Sequence, residues 1–440
     1  MGSVPNKKVI VVGAGMAGLA TAFRLRQAGV EVTVLESSHR VGGRVATDSR
    51  DGYVIERGAQ LISSTYKNAL GLVKELGIKS ELKPTSPWLA IVKDNVPRRL
   101  PSGATFPIYA LTSGLVSVAD LGRFIWHTTK LRWPPVDNYA AWSEYDDEDT
   151  ASWCKPRMGR ATDYLVEPLV AGGLLVAMEE TSRAMTLATL ALTDNGRTRE
   201  MTLSRGMGTL PEALASRVNV KLEAPVQIIE VGENGVSVQL SGERLHADHV
   251  VLATTANIAS RLYPGGDELE RKLMATEYAS TVRISLATSR NWRDDPILKN
   301  VWGFLIPRPD RKLVVSATIE SAKDPGRVPD GEMLNLIVDS KVASAMLDLP
   351  DERIVDAVLP DIERYFHGAT STRRFAQVGR LPQALPKSPV GRSRDLAAYR
   401  SSRPRGQRVL LAGDYMGMPH FESAVETGMW CANRILGASA

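Results

Sequence analysis

The first forty residues alternate between apolar runs and short glycine-rich or polar breaks. Residues 9–12 are all apolar and β-branched, which predicts a strand buried on both faces. The glycine-rich segment 13–18 ends this run and leads into an amphipathic helix, and a second apolar strand covers 31–35 and ends at Glu36. The pattern therefore predicts a strand, a glycine turn, a helix and a second strand.

The pattern of apolar and polar positions predicts further elements along the chain. Apolar spacing and turn residues indicate a helix over 66–77, a mostly helical region over 107–200, a hairpin of strands 226–231 and 236–240, a buried strand over 247–253, a sheet over 278–320, and a strand at 408–412 followed by a helix from about 422. The alternation of strands and helices predicts an α/β protein.

The glycine turn has the spacing of a dinucleotide-binding site. We expect Gly13 to allow the tight turn, Gly15 to let a pyrophosphate approach the backbone, and Gly18 to let the helix pack on the strand. The helix N-terminus then offers free N–H groups to that pyrophosphate. Glu36 lies where a carboxylate accepts both ribose hydroxyls, which favours FAD or NAD(H) over NADP(H).

Composition narrows the class of protein. The 440 residues are 43% hydrophobic and 23% charged, which suits two globular domains. Because the chain runs from Lys7 straight into a strand without a signal-peptide pattern, we expect it in the cytoplasm. Cys154 and Cys431 are far apart in sequence, so we predict that both are free thiols. The six histidines show no paired spacing, so we predict no metal site.

The net charge of +5 is concentrated in one stretch. This stretch has a single acid, Asp395, and its basic residues are Arg373, Arg374, Arg380, Lys387, Arg392, Arg394, Arg400, Arg403, Arg405 and Arg408. Nucleic acid, an anionic membrane or an acidic substrate would each suit it. Since no stacking aromatics accompany the charges, we expect a solvated basic face and no nucleic-acid partner.

No apolar run is long enough to span a membrane. Residues 165–178 contain Glu167 and Pro168, and residues 107–126 contain Asp120 and Arg123. The second stretch is compatible with peripheral contact to a membrane surface, but an ordinary helix of a substrate domain is the preferred interpretation.

The residues after Glu36 separate flavin from nicotinamide. The segment from Glu36 to Arg44, ESSHRVGGR, resembles the extended dinucleotide motif of the flavin amine oxidase and protoporphyrinogen oxidase superfamily, in which the acid is followed by R-x-G-G-R. Gly42 and Gly43 permit a second close backbone approach, and Arg44 can neutralise a diphosphate. The resemblance implies tightly bound FAD.

Other segments carry the same resemblance. Residues 56–60, ERGAQ, look like the segment that passes the flavin ring, although Glu56 and Arg57 are also compatible with a simple exposed ion pair. Residues 204–210, 302–307 and 381–391 resemble further motifs of the porphyrinogen oxidases. Residues 172–181, GGLLVAMEET, depart from that group's pattern, which counts against a porphyrinogen substrate.

The C-terminal segment resembles the flavin-ring site of the superfamily. Asp414 would bind the ribityl or diphosphate edge, and the helix near Glu422 would point its N-terminus at the flavin. Ser423 replaces the usual glycine. His420 falls where amine oxidases carry a cage aromatic, and the alternative is a satisfied surface histidine.

Two further features follow from the resemblance. No cysteine precedes the C-terminal helix at the position where some amine oxidases attach FAD, so we expect noncovalent binding. An ungapped alignment on Trp292 puts Thr288 where many amine oxidases have a lysine, so that lysine is predicted to be absent.

Together these motifs imply a two-domain flavin amine oxidase-like fold. It has a Rossmann-type FAD domain and a substrate domain with a mixed sheet and helices. The predicted FAD domain comprises residues 1–80, 205–255 and 405–440, and the substrate domain comprises residues 81–204 and 256–404. The predicted FAD-binding residues are Gly13, Gly15, Met16, Ala17, Gly18, Glu36, Arg40, Gly42, Gly43, Arg44, Gly58, Ala59, Gln60, Val226, Gly413, Asp414, Ser423, Ala424 and Val425. The catalytic candidates are His420, Gln60 and Glu56.

The predicted function is an FAD-dependent oxidase. It would remove a hydride from a carbon next to nitrogen in an amine or amide of a medium-sized metabolite, and dioxygen would reoxidise the flavin to give hydrogen peroxide. A protoporphyrinogen or coproporphyrinogen oxidase is the alternative, and a flavin-binding regulatory protein without turnover is a third. The expected partners are a small-molecule substrate and dioxygen, with the oligomeric state open and a homodimer as the one candidate.

Overall fold

The computed structural model of the chain describes residues 7–131, 133–193, 198–404 and 406–437. Arg405 of the predicted basic stretch lies outside these residues.

Strands and helices alternate along the described chain. The strands are β1 Lys8–Val12, β2 Glu31–Leu35, β3 Thr47–Arg50, β4 Tyr53–Glu56, β5 Ile62–Ser63, β6 Leu82–Pro84, β7 Trp88–Lys93, β8 Val96–Pro101, β9 Glu200–Leu203, β10 Asn219–Lys221, β11 Val226–Gly232, β12 Gly235–Leu240, β13 Arg244–Ala247, β14 His249–Leu252, β15 Tyr278–Thr288, β16 Val301–Leu305, β17 Val314–Ile319, β18 Glu332–Val338, β19 Arg373–Pro386 and β20 Val409–Leu411. The α-helices are α1 Met16–Gln27, α2 Lys67–Glu75, α3 Phe106–Thr112, α4 Val118–Thr129, α5 Thr150–Met158, α6 Glu167–Gly173, α7 Arg183–Leu192, α8 Thr209–Ala215, α9 Ala256–Leu262, α10 Glu268–Met274, α11 Glu320–Lys323, α12 Ser340–Met346, α13 Asp351–Glu363, α14 Arg392–Ser402 and α15 Phe421–Leu436.

A five-stranded parallel sheet forms around the N-terminal strand. Its order is β10, β2, β1, β14, β20, and Val9 pairs with both Val32 and His249. Residues 9–12 are buried, because α1 and α15 cover one face of the sheet and apolar side chains fill both. The predicted strand, turn, helix and strand are confirmed.

A second, seven-stranded sheet forms from the middle of the chain. Its order is β19, β15, β18, β17, β16, β7, β8, and it is mixed, since β16 runs parallel to β7 whereas its other pairs are antiparallel. The helices α3 to α7 fill most of the region predicted to be helical. All strands of the parallel sheet lie within the predicted FAD domain and all seven strands of this sheet within the predicted substrate domain, while the exact boundaries stay a prediction.

The basic stretch is in part the solvated face that its composition predicts. It forms β19 and α14, and Arg373, Arg374, Arg380 and Arg394 are exposed, whereas Arg392 and Arg403 are buried. Five of the nine described basic residues pair with acids from other parts of the chain, in the pairs Arg374–Asp330, Arg380–Asp351, Lys387–Glu180, Arg400–Glu426 and Arg403–Asp267. Composition could not predict these pairs, because the acids are distant in sequence and meet the stretch only in the folded chain.

Four buried charges connect the small strand β4 to the second sheet. This buried ion-pair network consists of Glu56, Glu320, Lys323 and Arg327, none of which exposes more than 1% of its surface. Arg327 donates from Nη2 to Glu56 Oε1 at 2.6 Å and from Nε to Glu320 Oε2 at 2.9 Å. Lys323 Nζ lies 2.5 Å from Glu320 Oε1. Two positive charges therefore balance two negative ones in the interior.

Removal of one charge from the buried ion-pair network should lower the stability of the fold. Arg327→Ala leaves two buried carboxylates without their shared cation, and we expect a loss of about 3–5 kcal/mol in the free energy of unfolding. The matched control is Arg205→Ala, which removes an exposed partner of Glu81 and is expected to cost less than about 1 kcal/mol. Urea denaturation of the three proteins measures both values, and equal losses in the two variants would contradict the role of the network.

Candidate active site

The glycine turn between β1 and α1 leaves open space at one position only. Gly13 has φ +104°, and a Cβ there would lie 2.7 Å from the carbonyl oxygen of Ala253. A Cβ on Gly18 would lie 2.0 Å from the carbonyl oxygen of Gly13. A Cβ on Gly15, by contrast, meets nothing within 4 Å. The three glycines thus have the packing that their predicted roles need, with free space beside Gly15 at the N-terminus of α1.

Glu36 lies at the carboxyl end of β2, beside this turn. Its Oε2 accepts a hydrogen bond from the Ala14 amide at 2.8 Å, and its Oε1 accepts one from Ser38 at 2.9 Å. The backbone amide of Ala224 donates to the carbonyl oxygen of Glu36 at 2.8 Å. Val226, which begins β11, therefore lies near Glu36, as its predicted role beside an adenine requires.

A second glycine loop faces the first. The amide of Gly42 donates to the carbonyl oxygen of Ala14 at 2.8 Å, and the nearest atom to a Cβ on Gly43 would be the Cα of Gly15, 3.6 Å away. Arg40 donates from its guanidinium to the carbonyl oxygen of Gly43 at 3.1 Å. Arg40 therefore stabilises its own loop, and the two glycine segments pack side by side.

Two predicted cofactor-binding residues pair with each other. Arg44 Nη2 lies 2.8 Å from Asp414 Oδ1, and Arg44 Nη1 donates to the carbonyl oxygen of Ala384 at 2.9 Å. Gly413 precedes the aspartate, and its amide donates to Thr427 Oγ1 on α15 at 3.0 Å. The Arg44–Asp414 ion pair joins the second glycine loop to the segment between β20 and the C-terminal helix.

The turn at residues 56–60 contacts the same loop. The amide of Ala59 donates to the carbonyl oxygen of Arg44 at 3.0 Å, and a Cβ on Gly58 would lie 1.9 Å from that oxygen. The side-chain oxygen of Gln60 accepts hydrogen bonds from Lys323 Nζ at 2.5 Å and Thr318 Oγ1 at 2.9 Å. The glycine is therefore required by close packing, and Gln60 is held from the second sheet.

The structure excludes an exposed ion pair between Glu56 and Arg57. Glu56 is buried and accepts from Arg327, from Thr47 Oγ1 at 2.7 Å and from the Met207 amide at 3.0 Å, while the exposed Arg57 pairs with Asp48 at 2.8 Å. Consecutive side chains point to opposite faces of an extended segment, which separates the two. A catalytic role for Glu56 stays a prediction, and these contacts favour a structural role.

His420 begins the C-terminal helix α15. Its Nδ1 accepts a hydrogen bond from the Ser423 amide at 3.1 Å, which caps the helix. Ser423, in the position of the usual glycine, is buried, and its Oγ accepts from the Met418 amide at 2.7 Å. Ala424 and Val425 follow within the first turn. The carboxylate of Glu422 accepts from the amides at the start of α2, so two helix N-termini meet here.

The ring of His420 stacks on Tyr66, with 5.1 Å between ring centroids and 25° between ring planes. Burial lowers the pKa of His420 to about 4, so the imidazole is neutral at pH 7. Since Nδ1 accepts, Nε2 carries the proton, and this buried atom has no hydrogen-bond partner among the described residues. A satisfied surface histidine, the alternative from sequence, is therefore wrong.

Sequence reasoning missed three residues close to the predicted site. Lys323 contacts Gln60, as described above. Arg283 on β15 is buried and donates to the carbonyl oxygens of Glu56 and Gly58. Glu200 begins β9, and burial raises the pKa of its carboxyl to about 7. The spacing E-x-x-K-x-x-x-R at 320–327 was the available signal for Lys323.

Thr288, the aligned counterpart of the expected lysine, is buried at the end of β15 and donates to the carbonyl oxygen of Arg290 at 2.7 Å.

The residues fit a bound dinucleotide. The open space at Gly15, the carboxylate at the end of β2 and the second glycine loop lie close together. Arg44 follows this loop and retains 31% of its side-chain surface. Its guanidinium is therefore open to an anionic group such as a diphosphate.

Comparison with known proteins supports this interpretation. The sequence model of the family described as flavin containing amine oxidoreductase matches residues 16–436. The chain belongs to this family of flavin-containing amine oxidoreductases. It is a flavin-dependent oxidoreductase with the flavin amine oxidase-like fold, as the sequence motifs predicted.

The proteins that are similar to this chain have more than one activity. The chain is 24% identical to coproporphyrinogen III oxidase of Bacillus subtilis, over 90% of this chain and 91% of the relative. It is 27% identical to L-amino-acid oxidase of Mus musculus, over 98% of this chain and 70% of the relative. The solved structure of cyclohexylamine oxidase from Brevibacterium oxydans superposes with a TM-score of 0.77 at 19% identity, covering 98% of this chain and 99% of that one.

Among residues 7–131, 133–193, 198–404 and 406–437, no helix has the length and apolar character needed to cross a bilayer. The same residues contain no group of three or more histidine, cysteine, aspartate or glutamate side chains arranged to hold a metal ion.

The glycine turn provides a matched pair of substitutions. Gly15→Ala adds a methyl group to open space, so we expect an unchanged unfolding temperature for the apoprotein but a clear loss of bound flavin. Gly18→Ala pushes a methyl group into the Gly13 carbonyl and is expected to destabilise the apoprotein by at least about 1 kcal/mol. Thermal unfolding followed by circular dichroism measures stability, and the ratio of flavin to protein measures cofactor binding. Normal flavin content in Gly15→Ala would contradict a role for Gly15 in binding the flavin.

Proposed function

We propose that the chain binds FAD noncovalently and oxidises an amine at the carbon next to nitrogen. Gly15, Glu36 and Gly43 would hold the dinucleotide, and Arg44 would face its diphosphate. FAD, when bound, accepts the hydride and passes the electrons to dioxygen, which yields hydrogen peroxide. The two cysteines, Cys154 and Cys431, are buried free thiols, which agrees with a reducing compartment such as the cytoplasm.

The protein itself would position the cofactor and stabilise the negative charge that forms on it. The N-terminus of α15 would direct its positive dipole end at the negative charge that develops on the flavin during reduction. Gln60 is fixed by Lys323 and Thr318, so the turn at 56–60 would offer a defined geometry to the flavin that the resemblance puts beside it. No nucleophile is required for this chemistry, which agrees with the absence of a catalytic triad among the residues discussed.

The stacked rings of Tyr66 and His420 are the observation that carries the proposal. They lie at the start of α15, where the resemblance to amine oxidases puts an aromatic cage. Aromatic faces hold a small amine against the flavin, and the neutral imidazole does not repel it. A tetrapyrrole, in contrast, needs a much broader surface than two stacked rings provide.

The similarity to coproporphyrinogen III oxidase supports a second candidate, a porphyrinogen oxidase. This relative is matched over nine-tenths of its length, and the segments 302–307 and 381–391 that resemble this group form β16 and the end of β19. The departure at 172–181 weighs against it.

The cofactor assignment has a direct test. Acid denaturation is expected to release all of the yellow chromophore into the supernatant, where mass spectrometry should identify FAD, because no cysteine precedes α15 at the attachment position. Colour that stays with the precipitated protein, or release of FMN, would contradict the proposal.

The reaction class is tested by product analysis. We expect primary or secondary amines to give hydrogen peroxide and an aldehyde or imine in equal amounts, with no porphyrin fluorescence after incubation with coproporphyrinogen. Peroxide formed only with the porphyrinogen, together with porphyrin fluorescence, would replace the amine oxidase assignment with the second candidate.

A further inference from the structure

We propose that helices α3 and α4 form a docking surface for an anionic lipid bilayer. The exposed apolar face of α4 enters the interfacial layer of the membrane, and the basic side chains beside it contact the lipid phosphates. This inference concerns a part of the chain that the proposed amine oxidation does not use, so the two can be tested separately.

Exposed apolar side chains are concentrated on these two helices. Ten large apolar side chains are exposed among the described residues, and five of the ten lie on α3 and α4. Val118 exposes 77% of its surface, Ile108 61% and Trp126 59%, and Tyr109 and Ile125 are also exposed. Single apolar side chains on a surface are ordinary. Five of them on two consecutive short helices indicate an interaction surface.

Helix α4 is apolar on two of its faces. One face packs on the core through Leu121 and Phe124. The second face is exposed and carries Val118, Ile125 and Trp126. These three residues follow each other at i, i+7 and i+8, which places them on one side of a helix. A helix that only covers a core needs one apolar face, so the second face is left for a partner.

The charges beside this face favour a membrane as that partner. Residues 95–131 contain a single acid, Asp120, which is buried and accepts hydrogen bonds from Ser117 Oγ at 2.7 Å and Arg123 Nη1 at 3.2 Å. Arg123 and Lys130 are exposed along a third face of α4. The exposed charges of this segment are therefore positive and complement anionic headgroups.

A second copy of the chain suits this surface less well. Two copies that met through the same face in a symmetric dimer would bring the same positive charges together. Such like charges repel across an interface, whereas a bilayer that contains anionic lipid attracts them. The surface therefore selects lipid over self-association.

The aromatic side chains of the surface are paired with cations. Lys130 Nζ lies 2.9 Å from the ring centroid of Trp126. On the neighbouring strands, the guanidinium of Arg99 lies 3.8 Å from the ring centroid of Trp88, which packs edge-on against Tyr109. Tryptophan and tyrosine favour the membrane interface, where the apolar ring enters the lipid and a long cationic side chain keeps its charge at the headgroups.

Binding to vesicles tests the docking surface. The FAD-loaded protein is expected to sediment with vesicles made of equal parts phosphatidylcholine and phosphatidylglycerol, with an affinity at least about ten-fold above that for phosphatidylcholine alone, because two or more basic side chains approach the anionic surface. Salt at about 1 M should remove most of this preference, since it shortens the Debye length to about 3 Å. No binding to the anionic vesicles, or equal binding to both kinds, would overturn the proposal.

Variants assign the binding to α4. The double substitution Ile125→Ser and Trp126→Ser removes apolar surface that is already exposed, so we expect normal unfolding temperature and flavin content but about ten-fold weaker binding to the anionic vesicles. The matched control is Val231→Ser with Leu349→Ser, which removes two exposed apolar side chains elsewhere and should leave binding unchanged. Unchanged binding in the α4 variant, or an equal loss in the control, would overturn the assignment.

A measurement of molecular mass separates lipid from a second copy. Sedimentation of the unaltered protein without vesicles is expected to give the same mass as the α4 variant. A dimer that the α4 substitutions convert to a monomer, without vesicle binding, would overturn the proposal and assign this face to a second copy. Because neither residue lies in the candidate active site, amine oxidation by the α4 variant should equal that of the unaltered protein.

Discussion

The arrangement of the candidate active site depends on the buried ion-pair network of Glu56, Glu320, Lys323 and Arg327. Charges this deep in a protein are stable only when each has a partner at close range. The network therefore fixes the distance between β4, which leads into the flavin turn, and α11, which follows a strand of the second sheet. Lys323 extends this constraint to Gln60. The β3–β4 hairpin is thus held against the second sheet at the point where cofactor and substrate are expected to meet.

The other end of the site depends on α15. Its first turn receives the cap from His420, while Glu422 binds the start of α2 and Asp414 pairs with Arg44. The start of α2 therefore meets the first turn of α15, while Arg44 binds the segment just before that helix. The cap also orients the imidazole, because an Nδ1 that accepts a hydrogen bond leaves the proton on Nε2.

Local pattern was sufficient to predict some of this structure. The strand, glycine turn, helix and second strand depend on residues within forty positions, and the hairpin of β11 and β12 on its Gly-containing turn. The ion-pair network was beyond such reasoning, because Glu56 and Arg327 lie 271 positions apart. Glu200 was missed for a related reason. Burial raises the pKa of its carboxyl, and this burial exists only in the folded chain. The ion pairs of the basic stretch were also beyond prediction, because composition does not show which acids will pack against it.

The most direct test of the account is to mix the FAD-loaded protein with a cationic amine in the absence of oxygen and follow the absorbance of the oxidised flavin. The account predicts rapid bleaching, slowed when deuterium replaces hydrogen on the carbon next to nitrogen, and recovery of the absorbance when oxygen is admitted. A flavin that stays oxidised with every amine but bleaches with coproporphyrinogen would contradict the account.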